Sequence, residues 1–88
     1  MTLNNKVLIK LFMPELNQKF DLFIPVNEVV WKIKKLIIAS IQDLCDCDLT
    51  SNNYLLYNLK KNKEYKNNEI IINTDIRNAS ELVLIQKK

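Results

Sequence analysis

From Lys6 onward the chain alternates between apolar and polar positions. In "KVLIKLFM", Val7, Ile9 and Leu11 fall on one side of an extended segment and Lys10 on the other, which predicts a strand over residues 6–13. "KFDLFI" repeats the pattern, with Lys19 and Asp21 outward and Phe20, Leu22 and Ile24 inward. The intervening "PELNQ" supplies a turn. Pro14 cannot donate to a ladder, and Asn17 is the residue that best tolerates left-handed backbone in a chain without glycine. The two strands are expected to form a hairpin. After Pro25 the period lengthens. Within "VNEVVWKIKKLIIASIQDL", Val26, Val30, Ile33, Ile37, Ile41 and Leu44 recur at steps of three or four, predicting a helix over 26–44 whose stripe faces the sheet. Asn27 is the expected N-cap and Glu28 complements the positive end of the helix dipole. Trp31 and Ile38 lie at the edge of the stripe, where packing beneath a loop is the plainer expectation and a partner contact the functional one.

The polar stretch "CDCDLTSNN" leads into a third strand, "YLLYNL". Alternation does not settle which of its faces is buried, because Tyr54, Leu55, Leu56 and Tyr57 are all large and mostly apolar. "KKNKEYKNN" reads as turn-rich, with room for a short edge strand near Glu64 to Lys66. "EIIINTDIRNAS" predicts an irregular buried segment ending in a turn at Arg77 to Ala79, and "ELVLI" is the last strand.

A chain of 88 residues has room for one core, so residues 1–88 are expected to form a single domain. With 48% hydrophobic and 26% charged residues the composition is that of a folding chain rather than a disordered one. The longest apolar run, Leu36 to Ala39, is far short of a membrane span, and no apolar signal core follows Met1. A cytoplasmic location is therefore expected. Cys45 and Cys47 are too close in sequence for an unstrained bridge and are expected as reduced thiols. The net charge of +3 is spread along the chain, which gives no strong field for nucleic acid. Its densest basic stretch, Lys60 to Lys66, is interrupted by Glu64 and reads as a solvated loop rather than a phosphate-binding patch.

Little catalytic chemistry is legible. "DLCDCD" gathers potential metal ligands between Asp43 and Asp48, but a six-residue stretch cannot wrap a tetrahedral ion, and the chain has no histidine. The glycine and distal glutamate of a calcium loop are missing too. A thiol nucleophile at Cys45 or Cys47 would lack the usual imidazole base. A glycine-rich phosphate loop is excluded by the absence of glycine. The expectation is of a non-enzymatic chain with no metal and no cofactor.

The order strand, hairpin, strand, helix, strand, irregular segment, strand resembles the ubiquitin-like β-grasp from about Lys6 to Ile85. The likeness is most specific at the end, where Ile76, Ser80, Leu82 and Leu84 occupy the places of the ubiquitin-like pattern leading into the last strand. "RNASEL" most resembles the YukD-type accessory proteins of Gram-positive type VII secretion systems. The resemblance implies an α+β fold, a mixed four- or five-stranded sheet on one helix. Conjugating relatives end in two glycines, whereas this sequence ends in Gln86, Lys87 and Lys88, so a non-conjugating module that binds a protein partner is implied. If Leu82 and Leu84 point toward the helix, Val83 and Ile85 project from the opposite face, joined there by Leu56 or Tyr57. A secretion-machine component is the implied partner, with neither nucleic acid nor membrane insertion expected. The alternatives are a sulfur carrier or protein modifier of the same fold, which needs the diglycine end, and a small nucleic-acid-binding domain using Lys60 to Lys66.

Overall fold

The structure is a computed structural model and describes residues 5–45, 49 and 53–86. The predicted hairpin forms from β1 (Lys6–Met13) and β2 (Gln18–Pro25), which pair antiparallel. Asn17 takes the left-handed conformation expected of it, with φ 53°. Helix α1 (Val30–Cys45) follows, then β3 (Tyr54–Asn58), the short β4 (Lys63–Tyr65), a single 3₁₀ turn at Ile71–Asn73, and β5 (Ser80–Gln86). The sheet order is β2-β1-β5-β3-β4, with β1 and β5 parallel and the other pairs antiparallel. The terminal strand thus lies at the centre of a mixed five-stranded sheet. This is the ubiquitin-like β-grasp.

Helix α1 begins later than its hydrophobic period predicts. Residues 26–29 stay non-helical because their backbone groups are engaged elsewhere. Val26 N–H donates to the Asn5 carbonyl at 2.8 Å, the carbonyls of Val26 and Glu28 accept from Ile72 and Ile71 at 2.8 and 3.1 Å, and Val29 bridges Ile70. Asn27 is therefore not the N-cap. The orphan donors of the first turn are satisfied by backbone instead, Val30 N–H by the Glu69 carbonyl at 2.8 Å and Trp31 N–H by that of Asn67 at 3.2 Å. Leu44 corrects the stripe at the other end, being 67% exposed. Steps of four from Ile33 through Ile37 and Ile41 lead to Cys45, which packs against the core, whereas Leu44 points away. Cys45 is disulfide-bonded rather than a free thiol. Cys47 and the rest of the proposed ligand stretch, Asp46 to Asp48, lie outside the described residues.

The core lies between α1 and the inner face of the sheet. It joins Val30, Ile33, Ile37 and Ile41 to Ile9, Leu11 and Met13 of β1, Ile24 of β2, Leu56 of β3, and Leu82 and Leu84 of β5. Ile71 of the 3₁₀ turn and Ile76 close one end. The turn into β5 needs positive φ at Ala79, 70°, where a Cβ is strained. Hydrogen bonds hold it there: Ala79 N–H donates to the Leu8 carbonyl at 2.7 Å, Leu8 N–H to Asn78 Oδ1 at 2.9 Å, and Arg77 N–H to Ser80 Oγ at 2.8 Å.

Candidate protein-binding site

The outer sheet face follows from the strand register. Val83 stands beside Phe12 on one side and Tyr57 on the other, and Ile85 is opposite Leu55. Adjacent residues of a strand project to opposite faces. Hence Phe12, Leu55, Tyr57, Val83 and Ile85 share the surface that α1 does not cover. The same register puts Leu56 opposite Leu84, both fully buried beneath the helix. Of the pair left open by the sequence, Tyr57 belongs to the outer face; Leu56 is withdrawn as a binding residue because its side chain is part of the core.

The outer residues are not equally available. Phe12, Leu55, Tyr57 and Ile85 are half-buried, while Val83, flanked in the register by two larger rings, is only 6% exposed. Val83 is thus better suited to supporting the patch than to making its main contact. The row continues to Lys19 beside Phe12 and to Glu64 beside Tyr57. Next to Phe12 a depression of roughly 440 Å³ is bordered by Lys10, Lys19, Asp21 and Glu81, and Lys60 pairs with Glu81 at 3.4 Å. The apolar strip thus lies between charges of both signs.

A polar network fixes the β3–β4 end of this surface. Tyr57 donates its phenolic proton to Asn62 Oδ1, and Asn62 holds the turn at φ 52°. Lys61 N–H donates to Asn58 Oδ1 at 3.1 Å, and Tyr65 OH donates to Asp75 Oδ1 at 2.7 Å. Asp75 also receives Lys61 Nζ at 2.7 Å. The Lys61 hydrogen bond, seconded by that from Tyr65, holds the Asp75 carboxyl down at about 2. Burial and the bond to Asp75 push the Tyr65 phenol up to about 12. Burial likewise pushes Tyr54 up to about 12, assisted by its 2.8 Å bond to Glu15. Both phenols therefore stay protonated at neutral pH and hold structure in place.

On the opposite side of the molecule, Ile38 packs partly against the core, whereas Trp31 remains 43% exposed with Lys32 and Lys35 Nζ at 5.6 and 5.2 Å from its ring centroid. Pattern reading placed both at the edge of the stripe but could not separate them. Among the described residues, no three His, Cys, Asp or Glu side chains converge as metal ligands, and no helix is long and apolar enough to cross a membrane.

No protein-family model and no curated protein sequence matches the chain. Solved structures do. The ubiquitin-like domain of an Arabidopsis thaliana protein superposes with a TM-score of 0.74 at 18% identity, covering 100% of this chain and 84% of that one. The ubiquitin-like domain of Plasmodium falciparum Dsk2 gives 0.72 at 13% identity, covering 93% and 99%. A chain of the MycP5-free ESX-5 inner membrane complex gives 0.67 at 12% identity, with 97% of this chain matched to 22% of that one. At these identities the likeness is one of fold, and the fold is that of ubiquitin-like domains.

Proposed function

We propose that residues 1–88 form one ubiquitin-like domain that acts as a noncovalent protein-interaction module, docking through the outer face of β3 and β5. One observation carries this reading. Leu55, Tyr57 and Ile85 form a contiguous, partly exposed apolar strip on the sheet face opposite the helix, seated on Val83, with Glu64 beside Tyr57. Burying a fully exposed side chain of this size contributes about 1.5–3 kcal/mol, and a side chain that is at most about a third exposed contributes a fraction of that, so the strip alone supports a weak, reversible contact. The chemistry of the described residues gives a competing enzymatic reading little to stand on, because the perturbed groups are taken up in structural bonds: Tyr54 donates to Glu15, Tyr65 to Asp75, and Lys61 balances the Asp75 charge.

The finer reading assigns the partner to a type VII-like secretion machine and the module to the cytoplasm. It is supported by the resemblance of "RNASEL", Arg77 to Leu82, to the YukD-type proteins, and by the likeness of fold to part of a chain in the ESX-5 complex. Native affinity capture with wild-type protein and with a Leu55→Lys, Ile85→Lys double variant tests the docking face. The partner should be retained by the first and lost by the second, with both proteins folded; equal recovery would discard the face. Identification of the retained protein as a secretion component would support the finer reading. The bridged Cys45 counts against the cytoplasmic part of this reading, and thiol labelling of Cys45 in intact cells tests it: a bridge there points to an oxidising compartment and a reduced thiol to the cytoplasm.

A further inference from the structure

The stripe Trp31, Lys34, Lys35, Ile38 and Gln42 runs along one side of α1 at steps of three and four, and Tyr54 at the start of β3 faces it. Together they line a groove of roughly 350 Å³. Its floor is apolar, from the Trp31 ring and Ile38. Its cationic wall carries Lys34 and Lys35. Lys34 Nζ is anchored on the Tyr54 carbonyl at 2.8 Å, which fixes one ammonium at the groove edge. Lys35 makes no ion pair among the described residues and lies 5.2 Å from the Trp31 centroid. Lys32, 5.6 Å from the same centroid, is loosely paired with Glu28 at 3.8 Å. Of the carboxylates nearby, Glu15 accepts from the Tyr54 hydroxyl at 2.8 Å, and Glu64, in the adjoining depression, is paired with Lys66 at 3.9 Å.

From this we infer a second interaction surface: the α1–β3 groove takes a short acidic peptide segment of a partner protein, an apolar side chain resting on Trp31 and Ile38 and flanking carboxylates meeting Lys34 and Lys35. Charge selects the occupant. An apolar floor alone would accept many segments, but a basic segment would bring its ammonium groups against Lys35 at a cost. Length is set by the helix. From Trp31 to Gln42 the axial rise is about 17 Å, the reach of roughly five extended residues. Strand addition is not the mode, because β3 already pairs with β5 and β4; side chains must carry the recognition. The groove lies on the helix side and the proposed docking face on the other, so one copy of the chain could hold two partners at once.

The chain has one tryptophan, which makes the groove its own reporter. Titrating the 88-residue chain with the synthetic peptide acetyl-Asp-Glu-Ile-Asp-Glu-amide should give a saturable change in Trp31 emission that weakens with added salt. Replacing the central Ile by Ser, or all four acids by Lys, should abolish it. Lys35→Glu, at an exposed helical position outside the core, should keep the wild-type melting curve and weaken binding by about tenfold. An unchanged affinity in Lys35→Glu, equal binding of the lysine peptide, or no response to the acidic peptide would overturn the assignment. So would an emission shift on phosphatidylserine vesicles without one on the peptide, which would make the groove a lipid-facing surface. None of these outcomes depends on Leu55 or Ile85, so the two surfaces stand or fall separately.

Discussion

The two faces of the central strand carry nearly the same residues and do different work. On β5, Leu82 and Leu84 point under the helix and are almost wholly buried, while Ile85 on the other face is left partly exposed and Val83 is screened by its neighbours in the sheet. On β3 the same split separates Leu56 from Leu55 and Tyr57. Residue type alone does not distinguish them. What does is the single helix: five strands have two faces, one helix covers one, and apolar side chains on the other are covered only by each other or by another molecule. The inner set should control stability, and the outer set recognition.

The largest effect that would break this comparison is on the inner side. Leu84→Ala is expected to destabilise the fold by about 2–5 kcal/mol, through lost burial and the cavity left in a packed core. Chemical denaturation measures it; a cost below about 1 kcal/mol, typical of surface changes, would put Leu84 on the wrong face. Ile85→Lys, one residue along the same strand, is expected to stay within about 1 kcal/mol of wild type in the same assay. A large loss there would show that Ile85 belongs to the core.

A smaller effect sharpens the view of how β5 enters the sheet. Ala79 holds positive φ against its own Cβ, so Ala79→Gly should stabilise, although glycine's freer unfolded chain offsets part of the gain. A net gain of about 0.5–1 kcal/mol in unfolding free energy, seen as a higher denaturant midpoint, is expected. Destabilisation would mean that the Cβ makes a contact worth more than the strain.

The pH dependence should be modest and have a definite sign. Asp75 is depressed to about 2 in the fold, below its ordinary ~3.9. Its contribution is fully present above pH ~4 and is lost as pH falls through the folded value. Tyr54 and Tyr65 are raised to about 12, above the ordinary ~10, so their contribution is present below pH ~10 and lost as pH rises toward 12. Melting temperatures recorded from pH 2 to 7 for wild type and Asp75→Asn check the acid limb. The variant should melt lower at neutral pH and show a shallower acid decline; parallel curves would remove Asp75 from the account.

Local pattern was enough for the hairpin, the left-handed Asn17, the inward sets of both early strands and the alternation of β5, since each is decided by neighbours in sequence. It failed where a distant segment decides. The helix period extends through Val26, yet residues 69–72 claim the backbone of residues 26–30 and delay the first turn. Leu56 and Tyr57 could not be assigned to faces from "YLLYNL", whose polar and apolar positions do not alternate; the register against β5 assigns them. Trp31 was visible as an edge residue, but its groove requires Tyr54, 23 positions away by the numbering. In each case the missing information is which strands and loops become neighbours.

The most direct test of the division between faces is methyl-resolved NMR with a soluble nitroxide, repeated after adding the captured partner. Leu55 and Ile85 methyls should broaden with the nitroxide and become protected by the partner, while Leu56, Leu82 and Leu84 stay sharp throughout. Broadening of the Leu56 and Leu84 methyls, or a partner that leaves Leu55 and Ile85 open to the nitroxide, would contradict the account.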